Sequence, residues 1–177
     1  MGRIEAHLSL GANLGDRAAS LRRALEEVAK LPATELVRVS GVYETEPWGV
    51  DEPQPPYLNM AATIATALGP VELVGSLKAI ERALGRPAAT TNRPRVIDVD
   101  LLLHGQTVLN SVRHNVTVPH PEIAGRAFVL APLREIAGGA VHPVTGETVT
   151  AMAARVDMGV VLARGAGLDA GFEGEAQ

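Results

Sequence analysis

Arg95-Val96-Ile97-Asp98-Val99-Asp100-Leu101-Leu102-Leu103 sets two carboxylates, two positions apart, inside an apolar run. Read as a strand, the run sends Asp98 and Asp100 to one face and Ile97, Val99 and Leu101 to the other. Two residue steps of ~3.3 Å put the carboxylates roughly 6–7 Å apart at Cα, within reach of one or two shared cations. A helix would aim them about 200° apart, and the β-branched context speaks for the strand. Two like charges on one half-buried strand are costly unless something cationic lies between them. The pair is therefore the first place to look for chemistry.

Upstream of it, Arg86 to Arg95 is an irregular basic segment with two prolines and no acid. Before that, Gly69-Pro70 opens a helix with proline at its first position, and Gly85 closes it. Leu73, Leu77, Ile80 and Leu84 form its core stripe. Lys78 and Glu81 stand one turn apart on the flank, a spacing expected of a solvated ion pair. Downstream, His104-Gly105-Gln106 reads as a turn, with Thr107-Val108-Leu109 pairing back. Val116 to Pro121 is extended, because proline disfavours helix in the residue before it, and His120 is held rigidly between two prolines. Arg126 begins an apolar run expected to be helical to about Ala137. Gly138–Gly146 reads as turns, Val149–Val156 as a helix and Met158–Leu162 as a short strand. From Ala163 the chain is Gly, Ala and acid, with little to bury, and a loose tail is expected over 163–177.

Towards the N-terminus, Ile4, Ala6, Leu8 and Leu10 alternate with polar residues as a first strand. A helix follows from about Leu14 to Leu31, with Leu14, Ala18, Leu21, Leu25 and Val28 on one stripe, and Pro32 ends it. The Gly11/Gly15 turn between them lacks the Gly-Lys-Ser/Thr ending of a phosphate loop. Glu35–Tyr43 is Val-rich and reads as a second strand. Glu44–Pro56 is a long proline-loaded loop with the single tryptophan, Trp48, at its centre. Such loops cover sites or remain unstructured, and Trp48 either covers something or pins the loop. Tyr57–Ala67 alternates again, with Leu58, Met60, Ala62 and Ile64 on one face, and pairs antiparallel with the second strand. Asn59 is out of place on a strand by propensity, either a pocket residue or a satisfied edge group.

At 177 residues, 46% apolar and 20% charged, the chain fits one soluble domain, taken as 1–162. No membrane span or secretory signal is legible, cytoplasmic is the default, and no cysteine is present for disulfides or thiolate metal sites. A net charge of −4 and five aromatic residues argue against nucleic-acid binding. Two βα-type units, each packing a helix on a sheet, point to an α+β, ferredoxin-like sandwich. Its sheet is mainly antiparallel and its loop insertions are functional. Hard carboxylate oxygens suit Mg²⁺, and arginines neutralise phosphate charge. The residues alone thus describe a nucleotide-dependent transferase acting on a planar heterocycle.

Five pieces in order resemble one family: Leu10–Asp16, Tyr43–Gly49, Tyr57-Leu58-Asn59, Pro94–Asp100, and Val118–Pro121 followed by Arg126-Ala127-Phe128. Together they look like the 6-hydroxymethyl-7,8-dihydropterin pyrophosphokinases of folate biosynthesis, over about Ile4 to Ala137. That resemblance implies diphosphate transfer from ATP to the pterin hydroxymethyl group, with AMP released. It implies two Mg²⁺ ions on Asp98 and Asp100, and Arg86 and Arg95 stabilising the transferring group. By the same likeness His120 and Arg126 meet phosphates, and Lys78, Glu81, Leu101 and Thr117 join Arg86 and Arg95 around ATP. The pterin would stack between Tyr57 and Phe128, with Asn59 and the Thr45-Glu46-Pro47-Trp48 segment reading its edge. ATP and hydroxymethyldihydropterin are the implied partners of a monomer, with no nucleic acid and no membrane.

The chain departs from the family in one segment. Thr91-Asn92-Arg93-Pro94-Arg95 replaces an Arg-aromatic-Gly-Pro-Arg pattern, and an expected basic position falls on Ala88 or Ala89. Arg93 is the expected substitute for one lost cation, and nucleotide affinity is the quantity expected to change. Lys78 stands where a neutral residue is common. Two rival readings keep the acid pair or the fold alone: an Mg²⁺ phosphohydrolase, and a non-catalytic ferredoxin-like binding module.

Overall fold

The computed structural model describes residues 2–47, 53–85, 94–159 and 161–164. Its elements run β1 (Ile4–Ala12), α1 (Arg17–Ala29), β2 (Thr34–Val39), β3 (Tyr43–Thr45), β4 (Tyr57–Thr66), α2 (Pro70–Ala83), β5 (Asp98–His104), β6 (Leu109–Ser111), β7 (Val116–Val118), α3 (Ala127–Ala137), α4 (Val149–Ala153) and β8 (Val161–Arg164). Among the described residues the main sheet has six strands in the order β5-β1-β4-β3-β8, with β2 also on β4, and every pairing in it is antiparallel. The α+β, ferredoxin-like expectation holds.

Helices cover both faces of the sheet. Ala6, Leu8 and Leu10 of β1, Met60, Ala62 and Ile64 of β4 and Val99 of β5 pack against Leu21, Leu25 and Val28 of α1 and Leu73, Leu77 and Ile80 of α2. On the other face Ala61, Leu102 and Leu103 meet Val129, Leu130 and Leu133 of α3 and Val149 and Met152 of α4. A sheet buried on both sides explains why β4 is closed to solvent at nearly every position rather than at every second one.

Several expected boundaries move. The first helix starts at Arg17, not Leu14: Gly15 takes a left-handed φ of +63°, and the Asp16 carboxylate then caps the Ala19 N–H at 2.9 Å. Leu14 is left 37% exposed, off the core stripe. The single strand expected over Glu35–Tyr43 is two, β2 and β3, broken at Ser40–Val42, and β3 takes Glu44 and Thr45 from the expected loop. Thr107–Leu109 does not pair back on β5; β6 instead forms a separate hairpin with β7, Leu109 facing Val118. α4 stops at Ala153, short of Val156, with the Thr148 hydroxyl accepting from the Ala151 N–H at its start. β8 begins at Val161 and runs to Arg164, past the expected start of the tail, with Arg164 opposite Tyr43.

Candidate active site

Asp98 and Asp100 emerge on one face of β5, while Val99 and Leu101 are buried on the other. In the sheet register Asp98 lies opposite Gly11 and Asp100 opposite Ser9, and Gly11 in turn lies opposite Asn59. The face thus carries a row, acid to glycine to amide. A Cβ at Gly11 would stand 2.7 Å from Asn59 Oδ1, so glycine is what lets the buried amide lie flat across β1. Asn59 Nδ2 donates to Thr45 Oγ1 at 2.7 Å, which ties β4 to β3 at the same end of the sheet. The N-terminus of α3 closes the far side with Arg126, Phe128 and Val129.

These groups line one cleft of about 230 Å³. Thr45, Glu46, Tyr57, Asn59, Arg95, Asp98, Asp100, His120, Arg126 and Phe128, all anticipated from sequence, border it together. Ser9, Gly11, Leu102, Glu122 and Val129 border it too and were not anticipated. Ser9 and Gly11 were within reach of a register argument, since they alternate with the apolar Leu8 and Leu10 of β1. Leu101 points into the α1/α2 core, and Thr117 is exposed on the β6–β7 hairpin, donating to Asn110 Oδ1 at 3.4 Å. Neither borders the cleft. Trp48, Arg86 and Arg93 lie outside the described residues.

The edge of β5 away from β1 explains α2's part. Among the described residues β5 has one sheet neighbour, so the Val99 N–H and C=O point away from the ladder. Glu81 Oε1 accepts that N–H at 2.7 Å, and the Lys78 ammonium lies 3.4 Å from the carbonyl. Glu81 is only 2% exposed, so the expected solvated ion pair is instead a seal on a strand edge. Burial raises the Glu81 carboxyl above its usual range, against the pull of Lys78 and the Val99 N–H.

One oxygen each of Glu81, Asp98 and Asp100 lies within 4.8 Å of the others. Repulsion at such distances is on the order of 3 kcal/mol per pair at an effective dielectric near 20. Cations offset it. Lys78 Nζ stands 2.8 Å from Glu81, 3.2 Å from Asp100 and 3.8 Å from Asp98, and the Arg95 guanidinium pairs with Asp98. Burial alone would depress the Lys78 ammonium, but the carboxylates, Asp100 foremost, hold it above its ordinary value. Three convergent carboxylates form a hard-oxygen donor set that suits Mg²⁺.

Loops fix the remaining groups. Asn13 Oδ1 accepts the Arg95 N–H at 2.7 Å, and its Nδ2 donates to Gln54 at 3.2 Å and to the Pro55 carbonyl at 3.3 Å. One buried amide thereby joins the segment before β5 to the segment before β4. The His120 N–H donates to the Leu102 carbonyl at 2.9 Å, and its ring Nδ1 accepts from the Glu122 N–H at 3.2 Å. A neutral ring therefore carries its proton on Nε2. Burial lowers the His120 pKa, with Asp100 opposing. Arg126 pairs with Glu122, lies 5.6 Å from the Phe128 ring centroid, and is pulled below its ordinary pKa by burial.

The acid pair and Arg95 and Arg126 thus share one cleft with Asn59, Tyr57 and Phe128. Residues 7–138 match the family described as 7,8-dihydro-6-hydroxymethylpterin-pyrophosphokinase (HPPK). The chain belongs to this family. It is 42% identical over 152 residues to the 2-amino-4-hydroxy-6-hydroxymethyldihydropteridine pyrophosphokinase of Methylorubrum extorquens, covering 86% of this chain and 93% of that one. It is 41% identical over 131 residues to the enzyme of that name from Bacillus subtilis, covering 74% and 77%. The folic acid synthesis protein fol1 of Pneumocystis carinii is 36% identical over 143 residues, 81% of this chain but 19% of that longer one. Among solved structures, the wild-type HPPK-DHPS of Plasmodium falciparum superposes with a TM-score of 0.67 at 13% identity, over 86% of this chain and 44% of that one. That likeness speaks for the fold. By family this HPPK chain is a pyrophosphokinase of folate synthesis, and among the described residues no helix is long and apolar enough to cross a membrane.

Proposed function

We propose that the cleft transfers diphosphate from ATP to the hydroxymethyl group of 6-hydroxymethyl-7,8-dihydropterin and releases AMP. The observation that carries the reading is the meeting, in one cleft, of a flat-ring pocket with an acid pair flanked by guanidiniums. Tyr57 and Phe128 offer faces for the ring, and Asn59, held by Thr45, offers polar atoms to its edge beside Glu46. Buried polar groups of this kind discriminate because an analogue lacking the matching donors leaves them unpaired.

Asp98 and Asp100 would hold two Mg²⁺ ions, which when bound neutralise the triphosphate and polarise it for attack. In the transfer the pterin hydroxyl oxygen bonds to the β-phosphorus. The bond from that phosphorus to the α,β-bridging oxygen breaks, AMP departs with that oxygen, and the hydroxyl proton is released. Arg95 and Arg126 face the region where charge gathers, and His120 presents a neutral N–H donor there. Lys78, Glu81 and Arg86 are proposed to serve ATP, and Trp48 the pterin. The reading is of a monomer acting on small molecules in the cytoplasm.

The test is incubation with ATP, Mg²⁺ and hydroxymethyldihydropterin, with nucleotide products separated by chromatography. AMP formed only with the pterin present is expected, and Asp100→Asn should slow it on the order of a hundredfold or more. ADP as the product, or pterin-independent phosphate release, would refute the proposal.

A further inference from the structure

We propose that Lys78 is a resident cation that holds Asp98 and Asp100 in the ligand-free cleft and withdraws when a divalent ion binds. The inference rests on the metal role given to the acid pair above. Lys78 Nζ touches Asp100 at 3.2 Å and lies 3.8 Å from Asp98, so it stands against the same oxygens that the ion would take. An ion coordinated at roughly 2.1 Å from those oxygens leaves no place for an ammonium in contact with them. Metal entry therefore displaces the lysine.

The surroundings suit departure. The Lys78 side chain is 37% exposed, whereas the Glu81 side chain beneath it is 3% exposed and remains bound to the Val99 N–H. The Glu81 half of the seal on β5 thus survives while the ammonium swings out on its flexible stem, giving up only its 3.4 Å approach to the Val99 carbonyl. An arriving triphosphate gives the displaced ammonium new anionic partners, and a bare metal ion gives it none. The chain's own lysine thereby makes metal loading conditional on nucleotide. It also keeps the two aspartates aimed into the cleft before either ligand arrives.

The experiment is Mn²⁺ binding to the full chain, followed by electron paramagnetic resonance, with and without α,β-methylene-ATP. The proteins are wild type, Lys78→Met, Lys78→Gln, Lys78→Arg and Asp100→Asn. Without nucleotide, Lys78→Met and Lys78→Gln should bind Mn²⁺ on the order of tenfold more tightly than wild type, and Lys78→Arg should stay near it. With the analogue present the gap should narrow. As a second readout, metal-free Lys78→Gln should melt below wild type and gain more from added Mg²⁺. Equal or weaker nucleotide-free Mn²⁺ affinity in both neutral variants would overturn the role given to Lys78. If Asp100→Asn leaves Mn²⁺ binding with the analogue intact, the metal reading itself has failed.

Discussion

Position 11 has no room for a side chain, and the reason is functional rather than conformational. Gly11 sits in β1 with an ordinary strand geometry, yet a methyl group there would stand 2.7 Å from Asn59 Oδ1. Asn59 would have to turn, and its bond to Thr45 Oγ1 would break. Gly11→Ala is therefore expected to weaken binding of a pterin analogue on the order of tenfold, with α,β-methylene-ATP affinity unchanged. Titration calorimetry with each ligand separately checks it, and equal losses for both would point to general damage. At this scale the sequence was readable where a residue broke its local pattern. Asn59 on a strand and the acid pair in an apolar run both signalled the site. The strand-edge role of Glu81 was not readable, because an i,i+3 Lys–Glu pair looks the same whether it faces water or seals a strand edge.

Ser40 marks where an element-level expectation failed. A Val-rich stretch reads as one strand, but the chain breaks between β2 and β3, and both pieces still pair with β4. The Ser40 N–H donates to the Ala61 carbonyl at 2.9 Å, and its hydroxyl accepts the Ala61 N–H at 2.8 Å. One residue thus supplies both ladder bonds at the break, its side chain standing in for the missing carbonyl. Glu135 of α3 secures the far side, accepting the Gly41 N–H at 3.1 Å and the Tyr43 hydroxyl at 2.6 Å. Those are contacts between distant parts of the chain, and no local pattern announces them. Ser40→Ala leaves the Ala61 amide without that partner in the interior, at a cost of about 1–3 kcal/mol. The loss should appear as a lower urea midpoint with an unchanged slope. β3 carries Thr45 into the cleft, so the same variant should raise the pterin KM more than the ATP KM.

The three-layer build sets the behaviour of the whole molecule with pH, and His7 is where this is measurable. His7 of β1 is 4% exposed, its Nδ1 3.1 Å from the Thr63 hydroxyl. Desolvation lowers its pKa below 6.5; Glu5, 3.5 Å from Nε2, opposes this, and Arg38, itself paired with Glu5, adds to it. An unfolded chain regains the ordinary value. Between the two pKa values the unfolded state binds more protons, so stability rises with pH across that interval. The contribution is complete above 6.5 and is lost as pH falls from there towards the folded pKa. His7→Gln keeps a polar group facing Thr63 but cannot titrate. Its melting temperature should therefore fall less than that of wild type between pH 7.5 and 5, the carboxylate contributions being common to both proteins. Parallel curves would mean that His7 accepts its proton in place, with the sheet open to water there. That result would contradict a sheet sealed on both faces, the same sealing that leaves the carboxylate end of β5 as the place where charge gathers.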